Sequence, residues 1–322
     1  MKVIDTRQFI EVLQASRSAV DGSYYLFYSS LLGGYTTDPA FMVVPFDDHL
    51  VHRGDGVFET MKCVDGAVYN LDAHLQRMQR SAYQMGLTHP GGVQAAREKI
   101  LELLAIAKQP QCSIRVILSR GPGSMGVSPT ETIGSQLYIL IYRAGQPFME
   151  KHPEGAKLRK STIPQKPSMF ATAKTCNYLP NVLMRAEAET WQVDFMVGVD
   201  TQGHITEGAT ENVGIVSKSG RLVFPPLDSV LAGTTMLRVA EMARQLEAEG
   251  HITGVIFRPI REEELDTARE ILVIGTTLNV VSVVEYNNRP VGDGKPGPIG
   301  RMLDALILED TKTNSALRAC YL

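Results

Sequence analysis

Between Ala171 and Asn212 the chain sets a lysine ahead of a proline-led helix pattern and returns, one strand later, with a glutamate. The stretch opens Ala171-Thr172-Ala173-Lys174-Thr175-Cys176-Asn177-Tyr178-Leu179-Pro180 and closes Ile205-Thr206-Glu207-Gly208-Ala209-Thr210-Glu211-Asn212. Leu179, Val182, Leu183 and Ala186 share one helical face. Pro180 suits a first helical turn, where its missing N–H costs nothing. Val193 to Val199 alternates in loose strand fashion, and Thr201-Gln202-Gly203 turns the chain. Lys174 therefore sits just before a helix and Glu207 in the loop after the next strand. Both can reach one cleft. On spacing alone Lys174 would be an ordinary solvated charge.

Strand and helix patterns alternate along the rest of the chain. Thr6 to Ser16 reads as an amphipathic helix with Phe9, Ile10, Val12 and Leu13 on its apolar face. Tyr24 to Leu32 is apolar but of undetermined state, and Phe41 to Pro45 reads as a strand. Val57 to Cys63 and Ala67 to Leu71 flank Asp65-Gly66, a hairpin turn signal. A helix with Asp72 as its N-cap runs to about Met85, and a second spans Val93 to Lys108. Cys112 to Ser119, containing Arg115, and Gln136 to Tyr142 are strand patterns. Gly145 to Lys157 is rich in Gly, Pro and charge and has no period, so the domain boundary belongs there. Beyond it lie a hairpin, Val213 to Val216 with Arg221 to Phe224, and a helix opening at Gly233-Thr234-Thr235. Strands at Ile252 to Phe257, Ile271 to Ile274 and Asn279 to Glu285 precede a closing helix from Ile299 to about Leu308. The division is 1–144, an N-terminal α/β domain; 145–158, a linker; and 159–322, a C-terminal domain.

A chain of 322 residues, 44% hydrophobic and 21% charged, can bury two cores. With a net charge of -3 and one short basic cluster, Lys157-Leu158-Arg159-Lys160, nucleic acid is not an expected partner. No apolar run reaches the length of a membrane span, and the N-terminus lacks the apolar core of a signal peptide. Cys63, Cys112, Cys176 and Cys320 are scattered, which suits reduced thiols and a cytoplasmic location. The dispersed histidines form no metal-ligand cluster. Gly121-Pro122-Gly123-Ser124-Met125-Gly126 spells a dinucleotide fingerprint, but Val127-Ser128-Pro129 opens no helix after it, so a flexible loop is the better reading and a nicotinamide enzyme is disfavoured.

A lysine, a tyrosine four residues on and a distant glutamate suit pyridoxal phosphate. The amine can form a Schiff base with its aldehyde, the phenol can reach the ring oxygen, and the carboxylate can keep the ring nitrogen protonated. The run Asn177-Tyr178-Leu179-Pro180-Asn181-Val182-Leu183, with Glu187 and Glu189 following, resembles the class IV, fold type IV pyridoxal-phosphate aminotransferases. It is most similar to their plant-type D-amino-acid transaminase and aminodeoxychorismate lyase branch. The resemblance runs from about Asp47 to the end of the chain.

That resemblance implies an α/β (α+β) fold type IV enzyme with a smaller N-terminal and a larger C-terminal domain. It implies an interdomain cofactor, a homodimer, and transfer of an amino group from an amino acid to a 2-oxo acid. Lys174 is the implied catalytic residue, and Tyr178 and Glu207 the cofactor ring's partners. The phosphate falls to Arg77, on the His74-x-x-Arg77 helix, and to Thr234, Thr235 and Thr276. Arg115 and Thr277 fall to the substrate carboxylate. His52, Arg53 and Asp55 lie in or beside the matching Gly54-Asp55-Gly56-Val57-Phe58-Glu59 segment without an assigned role. The Asn-Tyr-Leu-Pro-Asn run and the C-terminal Gly292-Asp293-Gly294-Lys295-Pro296-Gly297-Pro298-Ile299 lean towards the plant-type D-amino-acid transaminase or lyase branch, with a D-amino acid such as D-alanine as the favoured substrate. Gly208-Ala209-Thr210-Glu211-Asn212 is nearer the branched-chain pattern, and an Arg-x-His carboxylate clamp is missing from residues 121–128. Aminodeoxychorismate lyase and branched-chain L-amino-acid transaminase therefore stand as alternatives. A pyridoxal-phosphate-binding protein without turnover is disfavoured by the intact Lys174, Tyr178 and Glu207.

Overall fold

A computed structural model describes residues 2–17 and 22–321. The chain is a mixed α/β protein of two compact units, each built on its own sheet. The first unit comprises Met1–Gly145, Thr175–Asn177 and Ser315–Leu322, and the second Gln146–Lys174 and Tyr178–Asn314.

The first unit runs α1 (Thr6–Arg17), β1 (Tyr24–Ser29), β2 (Gly34–Thr36), α2 (His49–Arg53), β3 (Gly56–Val64), β4 (Ala67–Tyr69), α3 (Leu71–Gln84), α4 (Gly92–Ala107), β5 (Cys112–Ser119) and β6 (Gln136–Arg143). The stretch read as a strand at Phe41 to Pro45 is not one. A 3-10 turn, Pro39–Phe41, ends there, with Asp38 accepting from Ala40 N–H. Asp65 and Gly66 have φ of 49° and 73°, the two positive values that a tight β3–β4 turn demands. Asp72 is not the N-cap of α3. That place belongs to Asn70, which leaves β4 in the left-handed conformation, while Asp72 lies in the first turn and pairs with Arg97. Asn tolerates positive φ better than most residues, which lets strand and helix meet with no loop between them. Leu71, Leu75, Met78 and Ala82 face Leu103 and Leu104 of α4 and the sheet in one apolar core.

The second unit runs α5 (Phe148–Lys151), β7 (Ala156–Lys160), α6 (Ser168–Ala171), α7 (Leu179–Trp191), β8 (Phe195–Val197), β9 (Asn212–Val216), β10 (Leu222–Phe224), α8 (Thr234–Ala248), β11 (Val255–Phe257), α9 (Glu262–Leu265), β12 (Glu270–Gly275), β13 (Asn279–Tyr286), β14 (Arg289–Pro290) and α10 (Pro298–Thr313). Its sheet has the order β11-β10-β9-β12-β13-β7-β8, with β14 beside β13. The stretch read as a linker, 145–158, carries α5 and the start of β7, which pairs in parallel with both β13 and β8. β9, β12 and most of β13 are buried, as the near-continuous valine and isoleucine runs require of a central strand covered on both faces. Finally β15 (Arg318–Cys320) completes the first sheet, whose order is β15-β4-β3-β5-β6-β1-β2.

Two sequence features resolve into packing. Glu270 accepts from Ile299 N–H at 2.9 Å and Gly300 N–H at 2.7 Å, capping α10. A side chain at Gly297 or Gly300 would collide with that carboxylate or with Ser282, so both glycines are structural. On α7 the inward residues are Asn181, Met184 and Ala188. The apolar stripe Leu179, Val182 and Leu183 is 64%, 57% and 44% exposed.

Candidate active site

The second unit brings Lys174, Tyr178 and Glu207 to one small cavity, which they line with Lys166, Asn181, Glu211, Asn212 and Leu231. Local sequence explains each position. Lys174 follows the short α6, just where the chain leaves the unit. The next residues join the first unit, with Thr175 bridging Val57 and Cys176 N–H donating to Gly56 O at 2.8 Å. The chain returns at Tyr178, the N-cap of α7. The Lys174 Nζ lies 5.9 Å from the centre of the Tyr178 ring. Gly54 packs against Asn177 with φ of 65°, where a Cβ would come within 3.1 Å of the Asn177 Cα.

Glu207 is carried by the loop between β8 and β9, which closes on itself through a Glu207–Asn212 bridge. Its Oε2 accepts from Leu231 N–H at 3.0 Å. Burial pushes its carboxyl above the usual range, while Lys166, the Leu231 N–H and Lys174 pull it back down and Glu211 pushes it up. The cavity thus gathers two amine and two carboxyl groups in a poorly solvated space.

Asn212 ties this loop to two turns. Its Nδ2 donates to Leu231 O at 2.9 Å, and its Cα is the register partner of Ile274 at the end of β12. A side chain on Gly233 would collide with the Asn212 Oδ1. The N-terminus of α8, with Thr234 and Thr235 buried, and the Gly275-Thr276-Thr277 turn therefore leave the same end of the sheet as Glu207. Gly233 caps α8 and has no side chain to offer its first turn, so that helix end favours an anion.

Two residues implied by the resemblance lie on the first unit. Arg77, buried on α3, donates from Nε and Nη2 to Glu59 at 2.8 and 2.7 Å. His74 Nδ1 donates to the same carboxylate at 2.7 Å, because an ionised Glu59 can only accept. Arg115, on β5, stacks over Phe58 with its guanidinium carbon 4.8 Å from the ring centre, and its Nε is buried without a hydrogen-bond partner. The Gly-x-Gly-x-x-Gly run is a loop with no helix behind it. His49 Nε2 meets Ser124 O at 3.0 Å, and Arg53 Nη2 donates to Met125 O and Gly126 O.

The donor set fits pyridoxal phosphate. The group supplies an aldehyde that takes up an amine and a ring that withdraws electrons. The cavity offers an amine, a phenol and a buried carboxylate, and the glycine-led α8 terminus suits a phosphate. Among the described residues no cluster of His, Cys, Asp and Glu could hold a metal ion, and no helix is long and apolar enough to cross a membrane. Lys166 and Asn181 escaped the reading of the sequence. The one available signal was Lys166 ahead of Pro167, eight positions before Lys174 and outside any helix or strand pattern.

Residues 56–286 match the family model described as amino-transferase class IV. The chain is 37% identical over 305 residues to a D-amino-acid transaminase, chloroplastic, of Arabidopsis thaliana, covering 94% of this chain and 81% of that protein. It is 29% identical to a putative branched-chain-amino-acid aminotransferase of Methanocaldococcus jannaschii, covering 84% and 92%. The crystal structure of the Escherichia coli branched-chain amino acid aminotransferase has the same fold. The TM-score is 0.82 at 22% identity, covering 93% of this chain and 100% of that one.

Proposed function

This chain belongs to the class IV aminotransferases, enzymes that use pyridoxal phosphate, and from that premise we propose that it moves the amino group of a D-amino acid such as D-alanine to a 2-oxo acid. The observation that carries the site is the convergence of Lys174, Tyr178 and Glu207 on one cavity. Lys174 Nζ would hold the cofactor through its amine and would carry the proton taken from the substrate α-carbon. It must be neutral to do so, which a poorly solvated cavity favours. Tyr178, at the cap of α7, orients the lysine, and Glu207 is the carboxylate for a protonated ring nitrogen. Thr234, Thr235 and Thr276 are the proposed phosphate ligands, with Arg77 held ready by Glu59. Arg115 and Thr277 are proposed for the substrate carboxylate, and the unpartnered Arg115 Nε supports that role.

The preference for a D-amino acid is supported by the Arabidopsis relative. A branched-chain L-amino acid is the second reading, supported by Gly208-Ala209-Thr210-Glu211-Asn212 and by the Methanocaldococcus relative. Mixing the yellow holoenzyme separately with D-alanine and L-leucine, without a 2-oxo acid, decides between them. We expect D-alanine to bleach the visible band and L-leucine to leave it. The reverse would establish the second reading, and no response to either would turn attention to the lyase.

A homodimer is the proposed assembly. A stripe of Leu179, Val182 and Leu183 left bare on α7 is an apolar surface that a partner subunit would cover. Light scattering should report a dimer for the wild type and a monomer for Val182→Glu with Leu183→Glu. A double variant that stays dimeric would place the interface elsewhere. The four free cysteines suit a reducing compartment, and the cytoplasm is our proposal.

A further inference from the structure

The cavity holds a second lysine for which the aminotransferase reading has no use. Lys166 lines it beside Lys174, Tyr178 and Glu207. Its Nζ donates to Asn181 Oδ1 at 3.1 Å and lies 5.4 Å from the centre of the Tyr178 ring. Asn181, buried on α7, donates in turn to Ala209 O, two residues beyond Glu207. The segment that delivers Lys166 is pinned on both sides. Ser161 Oγ and Thr162 N–H donate to Glu187 of α7, and Gln165 Nε2 donates to Ser229 O at 2.9 Å. A long side chain held in this way has already lost the rotamer freedom that surface lysines keep.

The charges facing Glu207 explain why a cation is wanted there. Lys166 comes from the segment before α6, Lys174 from the loop after it and Tyr178 from the start of α7. Glu211 comes from the loop of Glu207 itself, and the Leu231 N–H from the turn before α8. Burial and Glu211 both oppose a negative Glu207. Lys174 cannot be its lasting counter-ion, because that amine must give up its charge to move a proton. Lys166 has no such duty. Burial lowers its proton affinity overall and Glu207 opposes that shift, the coupling expected of opposite charges that share one cavity.

We propose that Lys166 is the counter-ion that keeps Glu207 a carboxylate, a positioning residue that acts through Glu207 on the cofactor ring. The proposal rests on the reading of Glu207 as the partner of the ring nitrogen. Lys166 also joins α7 to the Glu207 loop through Asn181, so charge and orientation are set together.

The test is the titration of Glu207 itself, in apoprotein carrying carbon-13 in its glutamate carboxyl groups. The resonance missing from Glu207→Gln identifies it. We expect Lys166→Met to raise the midpoint of Glu207 by at least one pH unit, a tenfold gain in proton affinity, and Lys166→Arg to restore it. If Lys166→Met gives no dispersed spectrum, Lys166→Gln is read in the same way. In parallel, the equilibrium affinity of the apoprotein for pyridoxal phosphate should fall at least tenfold at pH 6 in Lys166→Met and converge with wild type by pH 8.5. Equal midpoints, or an affinity loss that is uniform with pH, would overturn the proposal. Failure of the underlying reading shows separately, as an affinity for pyridoxal phosphate that Glu207→Gln leaves unchanged at every pH.

Discussion

Lys174→Ala should yield a folded protein that adds pyridoxal phosphate without developing a visible band. Its kcat should fall by about four orders of magnitude, the upper end of what a placed proton-transfer group supplies. The reasoning is geometric. Lys174 lies in the loop just after the short α6, its Nζ faces the Tyr178 ring, and Glu207 lines the same cavity. The side chain is half-buried and faces a space that already contains Lys166, Glu207 and Glu211. In the roles proposed for Lys174, removing it takes away both the covalent tether and the base, so the effects on binding and on turnover come together. Stability should change little, since no element of the core rests on that side chain. Absorbance and circular dichroism on one sample separate the two effects. A band of undiminished height in the variant would move the covalent role to Lys166, the second amine of the cavity.

Glu59→Gln should cost the first unit about 3–5 kcal/mol, as expected when one partner of a buried ion pair is removed. Glu59 is fully buried and Arg77 nearly so, and the carboxylate accepts from Arg77 twice and from His74 once. An amide of the same shape keeps the packing but leaves the guanidinium charge uncompensated. Acid should reproduce the effect. Burial alone would raise the Glu59 carboxyl, yet the charge and hydrogen bonds of Arg77, with His74, hold it at about 2 against an ordinary 4.5. A carboxyl whose folded value is depressed stabilises the fold above its unfolded value. The contribution is lost as the pH falls through the folded one. The stability gap between wild type and Glu59→Gln should therefore be full above pH 4.5 and close on the way to pH 2. Urea unfolding followed across that range measures it. A gap under about 1 kcal/mol at neutral pH, the worth of an exposed ion pair, would sink the argument.

Where a local rule sets conformation, sequence and structure agree. Asp65-Gly66 supplies the two positive φ values of a tight hairpin, and the strands on either side follow. Pro180 enters the first turn of α7, and the helix forms behind it. Cys112 to Ser119 keeps the same ends in both. The misreadings fall where a neighbour competes. Asp72 has good capping chemistry, but Asn70 reaches the left-handed conformation two positions earlier and the helix starts there. Phe41 to Pro45 is apolar enough for a strand, yet Asp38 and Pro39 turn the chain at its start and leave no partner strand. The stripe on α7 has the period of a buried face and is exposed, because period reports that a face will be covered and not what covers it.

The sequence by itself determined the chemistry available to this protein. A lysine before a proline-led helix, a tyrosine four residues on and a glutamate after the next strand are residue types and spacings, and these are written in the chain. Only the tertiary structure decided that Lys166 enters the same cavity, that Asn212 joins the Glu207 loop to the end of β12 and the turn before α8, and that Arg77 is clasped by Glu59. Those contacts join residues far apart in the chain through strand register and burial. A charge has no preferred partner until folding removes the water around it.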